Sequence, residues 1–215
     1  MSYKKIGGLA ALVEAVAYIL GIAIFIFVLD SSGYDGPVRK VEFLKDNQTS
    51  LHLTMTAVYI IFSLVLVVLA MSLFEHLKRG APFLMQIATA FGLIWSGLVV
   101  SSGMIFIMGM EGVIDLYAAD PERAATVWQS IAPVQDAVGG GMELLGGVWV
   151  LLVSVAALKG GQLPKLLNYL GIVIGTSGVL TVLPMRELTI AVFGLGQIIW
   201  FIWLGIALLI EPESN

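Results

Sequence analysis

Residues 51–74 read LHLTMTAVYIIFSLVLVVLAMSLF, twenty-four positions without one Asp, Glu, Lys or Arg. At about 1.5 Å of rise per residue this run makes a helix of roughly 36 Å, longer than the ~30 Å hydrocarbon core of a bilayer. A helix that is apolar on every face over that length belongs in lipid, where its backbone polar groups are satisfied internally. Five more windows have the same character: Ile6–Leu29, Pro82–Met108, Val134–Leu158, Leu163–Leu183 and Leu188–Ile210. The expected fold is all-α, a polytopic transmembrane helical bundle of about six spans, with residues 1–215 forming a single transmembrane domain.

The composition agrees. Hydrophobic residues make up 59% and charged residues 12%, with a mean hydropathy of +0.97, against about 45–50% and about 25% in soluble domains. One water-soluble core cannot hide that much apolar surface in a chain of this size. With no cysteine, disulfides, thiolate metal sites and cysteine nucleophiles are excluded. A net charge of −4 leaves no basic stripe for nucleic acid. The expected partner is the lipid bilayer, with a second copy or another membrane protein left open. The first apolar run is too long for a signal peptide and has no obvious cleavage site, so it reads as a retained span.

Short polar links, 75–81 and 184–187, join the second window to the third and the fifth to the sixth. The link 30–50 is longer and punctuated by Gly and Pro, with an amphipathic piece around Val41–Leu44. In the link 109–133, Asp120-Pro121-Glu122 supplies an N-cap, a proline at the first helical position and an acidic first turn. That predicts a surface helix from Pro121 to about Ser130, with Trp128 at headgroup level. Lys4, Lys5, Lys78, Arg79, Lys159 and Lys165 fall on one side of the bundle, and Arg39, Lys40, Lys45, Arg123 and Arg186 on the other. The first group crowds the short turns, so both termini are expected in the cytoplasm of a cell-membrane protein, with 30–50 and 109–133 outside. Three windows in each half admit a 3+3 inverted repeat, with Glu14 and Glu143 as rough mates whose flanking residues align poorly.

Those two glutamates are the ionisable residues inside spans, where charge is unfavourable and usually functional. Residues 139–149 read GGGMELLGGVW, and at helical spacing Asp136, Gly140, Glu143, Gly147 and Ser154 share a face. Such an acidic, small-residue face is either a solvated path or ligand pocket, with Glu143 as proton carrier or cation contact, or a close helix contact. Glu14 lies on a face with Gly7, Ala11, Tyr18 and Gly21. It either supports the same path or pairs with Lys4 or Lys165. Neutral polar groups that could complete a cavity are Gln86, Thr89, Ser96, Asn168 and Gln197. The candidate ligand or proton path is therefore Glu143 with Asp136, Glu14 and Gln197. Gly171, Gly175 and Gly178, like Gly140 and Gly147, read as packing positions.

No catalytic residue, metal or cofactor is expected. His52 and His76 are the only histidines and lie about 36 Å apart along one helix, which excludes a bis-histidine haem. No lysine sits mid-span for a retinal Schiff base, and a zinc site would have to be all-carboxylate. No phosphate-binding loop ends in Lys-Ser or Lys-Thr.

The segments 139–149, Leu163-Pro164-Lys165, Tyr169-Leu170-Gly171, Gly194-Leu195-Gly196-Gln197 and Trp200 to Gly205 resemble a widespread family of prokaryotic integral-membrane proteins catalogued as a domain of unknown function. Asp46-Asn47-Gln48-Thr49 and the span ending Leu73-Phe74-Glu75-His76-Leu77-Lys78 fit the same pattern. The resemblance implies about six membrane helices and brings no activity or catalytic residue with it. The leading expectation is a small carrier or channel-like protein, proton-linked through Glu143. The alternatives are an accessory or sensory subunit that packs through its glycines, and an intramembrane enzyme on lipid or quinone. That last reading needs polar side chains converging on a lateral opening.

Overall fold

The structure, a computed structural model, describes residues 2–29, 31–140, 143–184 and 186–210. Among these every regular element is helical. α1 (Tyr3–Phe27) is followed by the short α2 (Pro37–Asp46). α3 (Gln48–Met55), a π-helical segment (Thr56–Ile61) and α4 (Phe62–Leu77) run on as one rod of 30 residues. α5 (Pro82–Tyr117) is 36 residues long. α6 (Pro121–Gln135) passes into a second π-helical segment (Asp136–Gly140), and α7 (Leu144–Gly160), α8 (Lys165–Leu180) and α9 (Arg186–Ile210) complete the chain.

Among the described residues five stretches, Tyr3–Ile24, Gln48–Leu77, Pro82–Tyr117, Pro121–Gly160 and Glu187–Ile210, are long and apolar enough to cross a membrane. The sixth apolar window forms α8, whose 16 residues reach only about 24 Å. Its limits have local causes. Pro164 stands at the N-cap, where its ring disfavours helix in the preceding residue. At the other end the Thr181 hydroxyl donates back to the Gly178 carbonyl at 2.7 Å.

The long helices pack in a ring whose order is α1, α4, α5, α7, α8, α9 and back to α1. α1, α4 and α5 fill one half of it, and α7, α8 and α9 the other. α1 and α9 cross closely and antiparallel, since a side chain on Gly8 would strike the Gly205 carbonyl at 3.0 Å and Leu209 at 2.7 Å. The described residues nearest the two chain ends therefore lie at the same end of the bundle.

Aromatic side chains fill the centre of the ring. Trp95 packs on Trp149 at 5.7 Å between centroids, Trp149 on Trp200 at 5.8 Å, and Phe62 edge-on to Trp95 at 5.7 Å. Phe193 and Phe201 are fully buried beside them. Such pairs add about 0.5–1.5 kcal/mol each beyond the area they bury. The outward faces carry exposed Ile26, Leu64, Met104, Ile199 and Ile206, the surface of a protein solvated by lipid.

A second apolar core lies at the opposite end from the termini. The α5 helix continues to Tyr117 rather than stopping at Met108, and its overhang is covered by α2 and α6. There Val41, Leu44, Met110, Val113, Ala124 and Ala125 bury one another. Asp120 caps α6 as its sequence predicts, its carboxylate accepting the Arg123 N–H at 3.0 Å. The helix does not end near Ser130. It runs on to Gln135 because its inner face has that core to lie against. Trp128 packs edge-on against Phe106 at 5.4 Å.

Candidate functional site

Glu143 does not sit in the middle of a helix. It is the N-cap residue of α7, with φ −93° and ψ 19°, and its N–H donates to Thr181 Oγ1 at 3.1 Å. The second π segment and this cap interrupt the helical register on which the shared face from Asp136 to Ser154 depends. Asp136 is exposed where the π segment begins, Gly140 ends it, and Ser154 is buried about three turns into α7. Gly141 and Met142 lie outside the described residues.

The Glu143 side chain instead opens on a cavity of about 120 Å³ shared with Tyr18 of α1, Val58 and Tyr59 of the first π segment, Trp95 of α5 and Gly139 of the second. π segments are rare and concentrate at functional sites, and here both contribute to one cavity wall. Close contacts dock each of them on α5. A side chain on Gly103 would meet Tyr59 Cβ at 2.5 Å, and one on Gly139 would meet the Leu98 carbonyl at 3.0 Å. Between them Gln135 Nε2 donates to Ser102 Oγ at 2.8 Å, and that hydroxyl donates on to the Gln135 carbonyl at 3.0 Å.

Tyr18, Val58 and Tyr59 also line a wider groove of about 390 Å³, completed by Gly21, Ile22 and Ile26. Ile22 and Ile26 are exposed on the apolar flank of α1, so the groove opens sideways between α1 and the first π segment. Towards the termini the cavity is closed by the aromatic centre of the ring.

Glu14 lies one helical turn before Tyr18. It is fully buried, and neither carboxylate oxygen has a hydrogen-bond partner among the described residues, so it is not paired with Lys4 or Lys165. Gln197 of α9 is equally buried, and among the described residues both its amide atoms are unpartnered, as are Ser154 Oγ and Trp200 Nε1. Ser154 and Trp200 converge over Gly171, where a Cβ would lie 2.0 Å from the hydroxyl oxygen and 2.7 Å from the indole nitrogen. From the Gly8–Gly205 crossing, Glu14 is about 9 Å along α1 and Gln197 about 12 Å back along α9. The two groups therefore lie within about 3 Å of one another in depth. Buried polar atoms without partners are uncommon in native proteins, and those of Glu14, Ser154, Gln197 and Trp200 lie on the ring helices α1, α7 and α9.

The structure thus sets Glu143 on one cavity wall with two tyrosines, with Glu14 one turn behind Tyr18, and leaves Asp136 exposed and outside the cavity lining. Tyr18 shares the Glu14 face in the sequence, whereas Tyr59 lies in an unbroken apolar run and gives no signal. The other neutral polar groups have structural work. Thr89 donates to the Met85 carbonyl at 2.7 Å, Ser96 to that of Ser63 at 2.7 Å and Asn168 to that of Leu163 at 3.3 Å. Gln86 is exposed. Gly147, Gly175 and Gly178 bring the backbones of α7 and α8 together, a Cβ on Gly147 falling 2.6 Å from the Val179 nitrogen and 2.7 Å from the Gly175 carbonyl. Among the described residues no three His, Asp or Glu are grouped to hold a metal ion.

No curated protein and no solved structure matches the chain. The family described as Domain of unknown function (DUF4386) matches it over residues 6–207. A match across nearly the whole helical bundle makes this chain a member of that family of uncharacterised domains.

Proposed function

We propose that this single transmembrane domain is a proton-linked carrier of the cell membrane, with both termini cytoplasmic and Glu143 as the group that meets the solute. One observation carries the reading. An acidic side chain within the membrane-crossing part of the chain opens on a cavity walled by two π segments and two tyrosines. A carboxyl group there can hold or release a proton as a solute group approaches, and the tyrosine hydroxyls can orient that group. Glu14 and Gln197, buried and unpartnered, extend polar character from the cavity towards the centre of the ring. The cationic residues Lys4, Lys5, Lys78, Arg79, Lys159 and Lys165 support the orientation. Gly147, Gly171, Gly175 and Gly178, which would serve an accessory subunit as a docking seam, are filled by α7, α8 and α9 of this chain.

The test is solute-driven proton movement in proteoliposomes loaded with a pH-sensitive dye and challenged with a panel of amines, alcohols and small acids. Glu143→Gln should lower the response at least tenfold without altering the yield of folded protein. An undiminished response would overturn the proposal.

A further inference from the structure

We infer that the Glu143 cavity receives its ligand sideways from the bilayer, and that this ligand is a single-chain amphiphile whose small head donates hydrogen bonds, an alcohol or an amine. The inference rests on the reading of Glu143 as the polar contact and adds the route and the chemical class. Three observations carry it.

The first is continuity. Tyr18, Val58 and Tyr59 line both the cavity and the groove, so the two spaces adjoin, and a molecule lying in the groove has only these three side chains between its end and the cavity. Ile22 and Ile26 at the mouth are 37% and 65% exposed on the apolar flank of α1, where acyl chains are the solvent.

The second is size. The groove, about 390 Å³, offers an apolar bed for one hydrocarbon chain. The cavity, about 120 Å³, is roughly four times the ~30 Å³ that a water occupies in the liquid. That admits a head of a few heavy atoms.

The third is chemistry. The polar side chains on these walls are a carboxyl group, two phenols and the Trp95 indole, and among the described residues no Lys, Arg or His lines either space. A head that donates finds the carboxylate as acceptor, with a charge-assisted bond where the head is an ammonium. An anionic head finds no cation to receive it.

The experiment uses the full chain in phosphatidylcholine nanodiscs with three hexadecyl probes, an alcohol, an amine and a carboxylic acid, each carrying a mid-chain diazirine. Adducts are mapped by mass spectrometry. The alcohol and amine should label residues 18–26 and 58–59 at least fivefold more than the acid, and unlabelled hexadecanol should compete. Ile22→Trp, at an exposed position that leaves the core untouched, should block the mouth and remove that labelling. Glu143→Gln should erase the preference for the amine. Equal labelling by all three probes, spread over every lipid-facing helix, would mean bulk lipid contact and overturn the inference. The two readings fail separately. If Glu143→Gln abolishes proton-coupled uptake while the probes label alike, the carrier stands and the lateral ligand falls. If the amine preference vanishes in Glu143→Gln while uptake is untouched, the ligand site stands and the carrier falls.

Discussion

At Gly171 the absence of a side chain leaves room for the Ser154 hydroxyl and the Trp200 indole nitrogen, both within 3 Å of where a Cβ would stand. Gly171→Ala must push against both, and overpacking of this kind costs about 1–3 kcal/mol. The double variant Gly171→Ala/Ser154→Ala removes the nearer obstacle and should recover part of that loss. Gly147→Ala should lose more and resist such rescue, because its nearest atoms are the backbone of α8. Thermal unfolding in detergent gives the ranking, and a double variant no better than Gly171→Ala would show that the hydroxyl is not the obstacle. The spacing of these glycines marks them as packing positions in the sequence, but spacing does not name the partner helix. The site was only half legible for a related reason. Glu143 is conspicuous as an acid in an apolar run, whereas Tyr59 reaches it through a π turn, and π turns leave no mark on a 3.6-residue periodicity.

Among elements, the joint between α7 and α8 matters most for the cavity. Thr181 accepts the Glu143 N–H and donates to the Gly178 carbonyl, so one hydroxyl ties the start of α7 to the end of α8. Thr181→Val keeps the shape and removes both bonds, each worth about 1 kcal/mol net. It should lower thermal stability and weaken the Glu143-dependent response, while Thr181→Ser restores both. An unchanged response would mean that this bond does not hold the carboxyl group in place. The helices themselves were legible because bilayer thickness sets a minimum apolar run, and each of the six windows contains a helix. Their ends were not. α5 outruns its window because α2 and α6 bury its overhang, and that contact depends on residues far away in sequence. α8 stops short because a proline and a threonine close it locally.

For the whole molecule, orientation is open to direct measurement, since a chain with no cysteine accepts single reporters cleanly. Lys40→Cys and Arg123→Cys should react with a membrane-impermeant maleimide on intact cells, and Arg79→Cys and Lys159→Cys only after lysis. The reverse pattern would invert the carrier. Ring closure has a further consequence for how the protein is made. α1 packs along α9, which follows it much later in the chain, so α1 must wait in the membrane through the synthesis of the helices between them. Throughout that interval Glu14, fully buried in the finished ring, has lipid or the insertion machinery for company. A nascent chain cut short before α9 therefore displays a carboxyl group in the bilayer, a defect that membrane quality control can read.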